Sequence, residues 1–147
     1  MAITQCQTTS YKKQLLEAVH DFRLSGGDTF KIALYVPTAN LGETTSAYTT
    51  TDEVGNSGTY AAGGGTLTRI DPTTSGTTAF TDFADINWTS ATISARGAMI
   101  YNSTPTHTYT NPSCIVLDFG STITSTAGTF TVTFPAASST EAIIRIA

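Results

Sequence analysis

Charge is the scarcest commodity in this sequence. Only 12% of its 147 residues are Asp, Glu, Lys or Arg, about half the ~25% of an ordinary soluble domain. Lys and Arg total 7, and the one adjacent basic pair is Lys12-Lys13. A nucleic-acid binder needs a basic face to displace the counterions of its polyanion. That shortage, with a net charge of −4 and a pI of about 4.8, argues against nucleic acid as a partner. Long apolar runs are missing too, and with them a transmembrane helix, which takes about 20 consecutive apolar residues. The opening Met1-Ala2-Ile3-Thr4-Gln5-Cys6 has neither the basic start nor the apolar stretch of a secretory signal. The expectation is a protein made in a cytoplasm, with no membrane partner.

Motifs for metal and covalent chemistry are equally sparse. Cys6 and Cys114 stand far apart and match no CxxC spacing. Two free thiols, with Cys114 buried in a strand, are expected; a Cys6–Cys114 bridge pinning the N-terminal arm is the alternative. His20 and His107 are the only histidines, and the two Cys and two His show no zinc-ligand spacing. No D-x-D-x-D-G loop is present, so Asp52-Glu53 and the Asp82/Asp85 pair read as turn residues and solvated charges, with a weak calcium site as the sharper alternative. Gly63-Gly64-Gly65 lacks the Lys-Ser/Thr and the following helix of a phosphate loop and reads as a flexible turn. There is no Gly-x-Ser-x-Gly elbow. A Ser–His–Asp arrangement can be drawn with His107 and Asp118, but hydroxyl residues are so abundant that one nearby is expected by chance. Asn87-Trp88-Thr89 and Asn102-Ser103-Thr104 match the glycosylation sequon, which carries no meaning without secretion. No catalytic residue, metal ligand or cofactor is assigned.

What is present in quantity is threonine, 31 residues of it. Threonine is β-branched and stiff at χ1, so it favours strands over helix interiors, and its hydroxyl hydrates a surface without charge. Hydrophobic residues, at 39%, suffice for one core. Residues 1–9 read as an arm. Ser10 can cap a helix running to about Leu24, with Tyr11, Leu15, Ala18, Val19 and Phe22 as its apolar stripe and Ser25-Gly26-Gly27 as its stop. Phe30, Ile32, Leu34 and Val36 alternate as a strand ended by Pro37. Residues 38–64 are a long polar excursion with a short strand around Ser57–Ala61. Leu67–Ile70 reads as a strand and Asp71-Pro72 as a turn. Residues 79–101 hold two or three strands, broken near Ala84-Asp85 and near Gly97. Residues 102–112 form a polar loop, Cys114–Phe119 a strand, and Gly120–Gly128 a Ser/Thr-rich turn region. Strict alternation places Phe130, Val132 and Phe134 inward, and Ala142–Ile146 is a last strand.

Eight or so strands, one helix and no β–α alternation predict a mainly β fold: an antiparallel, jelly-roll-like β-sandwich with one N-terminal α-helix, in a single domain over 1–147 (arm 1–9, helix 10–24, sandwich 28–147). The expected core is Phe30, Ile32, Leu34, Phe83, Ile86, Trp88, Ile93, Ile115, Leu117, Phe130, Val132, Phe134 and Ile144. Tyr48, Tyr60 and Tyr109 fall in loops and are the candidate interface residues, since exposed aromatics anchor contacts.

The helix Tyr11–Phe22 leading to Asp28-Thr29-Phe30-Lys31-Ile32-Ala33-Leu34-Tyr35 resembles the start of small proteins encoded by tailed bacteriophages. So do Thr51-Asp52-Glu53-Val54, the run Asp82-Phe83-Ala84-Asp85-Ile86-Asn87-Trp88-Thr89, and Ala95-Arg96-Gly97-Ala98-Met99-Ile100-Tyr101-Asn102. Val116-Leu117-Asp118-Phe119-Gly120 and the Ala142–Ala147 end extend the similarity over nearly the whole chain. The resemblance implies a virion structural protein and transfers no catalytic residue. It makes a capsid decoration, or cement, protein the leading expectation: bound to the major capsid protein or other virion proteins, reaching out with residues 1–9 or 38–64, and, by analogy with such proteins at three-fold positions, a homotrimer. A tail, neck or fibre component touching host glycans is the runner-up, and a small glycan-active hydrolase the third reading.

Overall fold

The computed structural model describes residues 2–106 and 108–147. The fold is mainly β, two antiparallel sheets with one short helix, as the strand count and the threonine content indicate. The first sheet has the order β1-β7-β6-β2-β3, from β1 (Cys6–Gln7), β2 (Phe30–Tyr35), β3 (Gly65–Thr66), β6 (Ile86–Asn102) and β7 (Ser113–Val132). The second has the order β4-β5-β8, from β4 (Arg69–Ser75), β5 (Thr78–Phe83) and β8 (Ile144–Ile146).

A line of aromatic rings stitches the sheets together. Phe22 stacks on Phe30 of β2 at 4.3 Å, Phe30 meets Phe83 of β5 at 5.9 Å, and Phe83 meets Phe134 at 5.8 Å. Of the expected core residues, eleven are buried, while Ile86 and Leu117 are half-buried and pack on the same cluster. In β7 Val132 is buried and Thr131 exposed, so the inward register follows the alternation.

β2 is covered on both faces. Ile32 and Leu34 enter the main core, while Ala33 and Tyr35 face a second cluster with Ile3, Ala39, Leu41, Met99, Tyr101 and Val116. The cover on this second face comes from residues 1–9 and 38–64, the two segments expected to reach outward. Ile3 is buried and bridges Leu41, and β1 pairs with β7 through Cys6↔Val116. The excursion is likewise pinned, Val54 N–H to the Leu34 carbonyl at 2.9 Å and Val36 N–H to that of Asp52 at 3.0 Å. Neither segment is a free arm, because each buries apolar side chains that would otherwise face water.

Several other boundaries depart from expectation. The helix, α1 (Thr9–Leu16), is capped by Thr8, whose Oγ1 accepts the Tyr11 N–H at 3.3 Å, and not by Ser10. It stops eight residues short of Leu24 because Ala18 turns left-handed at φ 58°, a conformation that costs an alanine about 1–2 kcal/mol. Val19 and Phe22 are buried all the same, so the apolar period persists while the chain leaves the helix. Asp71-Pro72 is no turn. It sits inside β4, an edge strand, at the register shift between Ile70 and Thr73, where an edge tolerates a proline. The break at Ala84-Asp85 is present, and near Gly97 β6 stays one strand while its pairing with β7 shifts register between Ala95 and Gly97. A side chain there would overlap the Leu117 carbonyl and Ile3, so this glycine marks a close approach. Gly120–Gly128 is also strand: β7 continues opposite β6 from Ile123↔Ala95 to Val132↔Ile86, with extra residues absorbed in bulges. The short strand around Ser57–Ala61 reduces to a single Ser57↔Tyr60 bridge.

Candidate functional site

One group of chemistry-bearing side chains converges, and it lies where α1, the 17–29 crossover and the loop end of the β6–β7 hairpin meet. His20 Nδ1 is 3.1 Å from Asn102 Nδ2, and His20 Nε2 is 2.8 Å from Gln14 Oε1. An amide nitrogen only donates, so Nδ1 is the acceptor and Nε2 carries the hydrogen. Asn102 Nδ2 also donates to Asp28 Oδ2 at 2.8 Å, and its Oδ1 accepts the Thr104 N–H at 3.0 Å. Asp28 Oδ2 takes the Asp21 N–H at 2.9 Å. Cys114 Sγ stands 3.9 Å from His20 Nδ1. Gln14, Asp28, Asn102 and Cys114 are all buried, and His20 is half-buried against the ring of Tyr11, 5.1 Å away.

Cysteine, histidine and asparagine in one place invite comparison with a thiol nucleophile and its base. The geometry is of another kind. The Cys114 Sγ–His20 Nδ1 contact is long at 3.9 Å, and Nδ1 is already engaged by Asn102. Complete burial pushes the Cys114 thiol well above its ordinary pKa, away from thiolate. Burial also lowers the His20 pKa to about 4, with Asp28 pulling weakly the other way. The network is therefore a set of neutral hydrogen bonds around one carboxylate, each closing another's valence. Such a network specifies a unique packing when fully satisfied.

The aspartates singled out in the sequence are engaged elsewhere. Asp118 pairs with Arg96 at 2.7 Å, which holds its carboxyl below the usual range; the histidine drawn beside it, His107, lies outside the described residues. Asp82 accepts the Phe83 N–H at 2.8 Å, Asp85 the Phe134 N–H at 2.8 Å, and Asp52 the Thr38 hydroxyl at 3.2 Å. Among the described residues no three His, Cys, Asp or Glu gather as a metal site would require. Cys6 and Cys114 are both free. Gly64, at φ 78°, passes so close to the Ile32 carbonyl that a side chain would overlap it, making Gly63-Gly64-Gly65 a tight entry to β3. Asn102 is fully buried and so is no sugar acceptor in the fold.

The three candidate interface tyrosines part company. Tyr60 is a correction: at 1% exposure it belongs to the core, beside Trp88 at 5.2 Å. Its hydroxyl accepts the Leu34 N–H at 2.9 Å and donates to Glu53 Oε1 at 2.8 Å, partners that only the closed 38–64 segment brings within reach. Tyr48 is half-buried, stacks on Tyr101 at 4.6 Å and donates to Glu53 Oε2 at 2.6 Å. Glu53 also accepts the Gly63 N–H at 2.7 Å. Tyr109 is partly exposed and donates to Glu17 at 2.8 Å.

Two stretches of the surface are apolar or uncharged. A groove of about 140 Å³ lies between α1 and the second sheet, bounded by Leu15, Phe22, Pro72, Phe80, Ile144 and Ile146. Leu16 is 91% exposed, and Ile146, Leu24, Ile123 and Ile70 are also exposed. From Ile86 to Ala95 and from Phe119 to Thr140 the chain carries no charged residue, so most of the outer half of the β6–β7 hairpin presents hydroxyls and backbone only. Among the described residues no helix is long and apolar enough to cross a membrane.

No family model, no curated protein and no solved structure matches this chain. The His20 network is barely legible in the sequence, where a helix running to about Leu24 puts His20 off the apolar stripe. Its one local signal is three separated polar residues, Gln14, His20 and Asp28, set among the buried aromatics Tyr11, Phe22 and Phe30.

Proposed function

We propose that this is a non-enzymatic structural protein of a phage virion, a capsid decoration protein that binds the assembled shell. The observation that carries this reading is the pairing of a closed polar network inside with an uncharged outer hairpin. The polar groups able to do chemistry are spent on one another inside, and the outer hairpin has no charge from Ile86 to Ala95 or from Phe119 to Val132. Contacts made by such a surface rest on hydroxyls, backbone and single aliphatic side chains, which suits a rigid module bonded to a large assembly. The sequence resemblance points to the same class. A homotrimer is the proposed assembly, since cyclic closure is the ordinary way identical subunits meet. The expected partner is the major capsid protein.

Cryo-microscopy of the intact particle tests this directly. Density for the protein on the head is the expected result, and density confined to the tail would defeat it. Attachment measured at low and high salt should change little, because few exposed charges are there to be screened. Steep release by salt would overturn the contact mode.

A further inference from the structure

We propose that the His20–Asn102 contact is an acid-sensitive latch, and that proton uptake at His20 Nδ1 releases the 17–29 crossover and the 103–112 loop from one another. The inference goes beyond the structural role above: it gives one end of the domain two states.

The logic lies in the valences of one amide. The two hydrogens of Asn102 Nδ2 go to His20 Nδ1 and Asp28 Oδ2, at 3.1 and 2.8 Å, and Oδ1 holds the Thr104 N–H. A proton placed on Nδ1 sets two donors face to face. Turning the amide over would offer Oδ1 to the imidazolium, but it would also aim that oxygen at the Asp28 carboxylate and abandon Thr104. No orientation of Asn102 satisfies His20, Asp28 and Thr104 together once the ring is charged. An imidazolium left without an acceptor at Nδ1 is costly in a half-buried site, and the nearest anion is Asp28, screened from it by that same amide. The ring must move toward Asp28, and Asn102 must let go.

Among the described residues, Asp28 supplies the one carboxylate that acts on the ring. α1 presents Gln14, already accepting from Nε2, and Tyr11, whose buried hydroxyl has no hydrogen-bond partner among the described residues. β2 presents the ring of Phe30, 6.3 Å away, and β7 presents the Cys114 thiol. The crossover itself supplies Asp28 and, through its backbone, Asp21. Burial holds the neutral ring to about pH 4, which keeps the latch closed at neutral pH.

Release would be local. Asn102 is the last residue of β6, paired with Phe30, and the two segments are tied as well by the Ser103 N–H and hydroxyl to the Thr29 carbonyl, Thr29 N–H to Thr104 Oγ1, Thr106 N–H to the Val19 carbonyl, and Tyr109 to Glu17. The long β6–β7 ladder does not depend on them.

Amide hydrogen exchange on the whole chain, at about pH 7 and about pH 4 and corrected for intrinsic rates, reads the latch out. Protection across 20–29 and 103–106 should fall by about tenfold or more at acid pH while Ile32 and Ile100 stay protected. His20→Gln, which keeps a donor and an acceptor but takes no proton, should hold its protection at both pH values. His107→Gln, removing the only other histidine, should behave as the unaltered protein. Because His20→Gln could disturb folding, an NMR titration of the unaltered protein gives a second reading: the His20 ring and the Asn102 side-chain amide should shift together. Unchanged protection at acid pH, equal loss in His20→Gln, or titration of His20 with no response at Asn102 would each overturn the latch.

Discussion

The hydroxyl of Tyr60 bridges two parts of the chain that the sequence keeps far apart, accepting from the Leu34 N–H in β2 and donating to the Glu53 carboxylate in the 38–64 excursion. This one side chain makes the excursion a wall of the domain. Tyr60→Phe keeps the ring and removes the bridge. It leaves a buried N–H and a carboxylate oxygen short of a partner, which costs about 1–3 kcal/mol. Urea midpoints for the two proteins measure it. A loss indistinguishable from zero would mean that water replaces the hydroxyl and the excursion is held by other means.

Phe130 and Thr131 test the register of β7. Phe130 is buried near Trp88, with centroids 6.4 Å apart, and Thr131 is exposed. Phe130→Ala should destabilise by about 3–5 kcal/mol. Thr131→Ala should stay within about 0.5 kcal/mol. The reverse ranking in chemical denaturation would place the strand one residue out.

Adjacent leucines test the end of α1. Leu15 packs on the core cluster, whereas Leu16 is 91% exposed. Leu15→Asp should lower the melting temperature sharply, since it puts a carboxylate against apolar rings. Leu16→Asp should leave it unchanged. Equal effects would mean that the helix continues past Leu16 and buries its other side.

Stability should depend on pH through His20. Its folded pKa, about 4, lies below the ordinary value of 6.5, so the unfolded chain binds more protons between those values. Unfolding free energy therefore rises with pH across that window and is fully present above it. Denaturant titrations from acid to neutral pH should show this slope, and its reduction in His20→Gln. A slope that survives the substitution intact would assign it to carboxylates.

Cys114 should resist alkylation until the protein unfolds. It is fully buried and its thiol is held protonated, and thiolate is the reactive form. Mass spectrometry after iodoacetamide should find Cys114 unmodified in native conditions and modified in denaturant. Native labelling at Cys114 would show that the loop end of the β6–β7 hairpin opens readily.

Alternation and composition were enough to determine the mainly β fold, the inward faces of β2 and the end of β7, and eleven buried core positions. These follow from local rules: a strand shows a period of two, and threonine favours it wherever it sits. The tertiary structure alone decided how far α1 runs, that Gly120–Gly128 is strand, that residues 1–9 and 38–64 form a wall, and that Tyr60 is core. In each case the deciding partner is distant in sequence. Ala18 turns left-handed and Phe22 joins the aromatic line, and a Ser/Thr run becomes strand because β6 supplies its hydrogen bonds. The His20 network shows this most sharply. Gln14, His20, Asp28, Asn102 and Cys114 span a hundred residues, and their common property, a mutual supply of donors and acceptors in a dry place, exists only once the fold has brought them together.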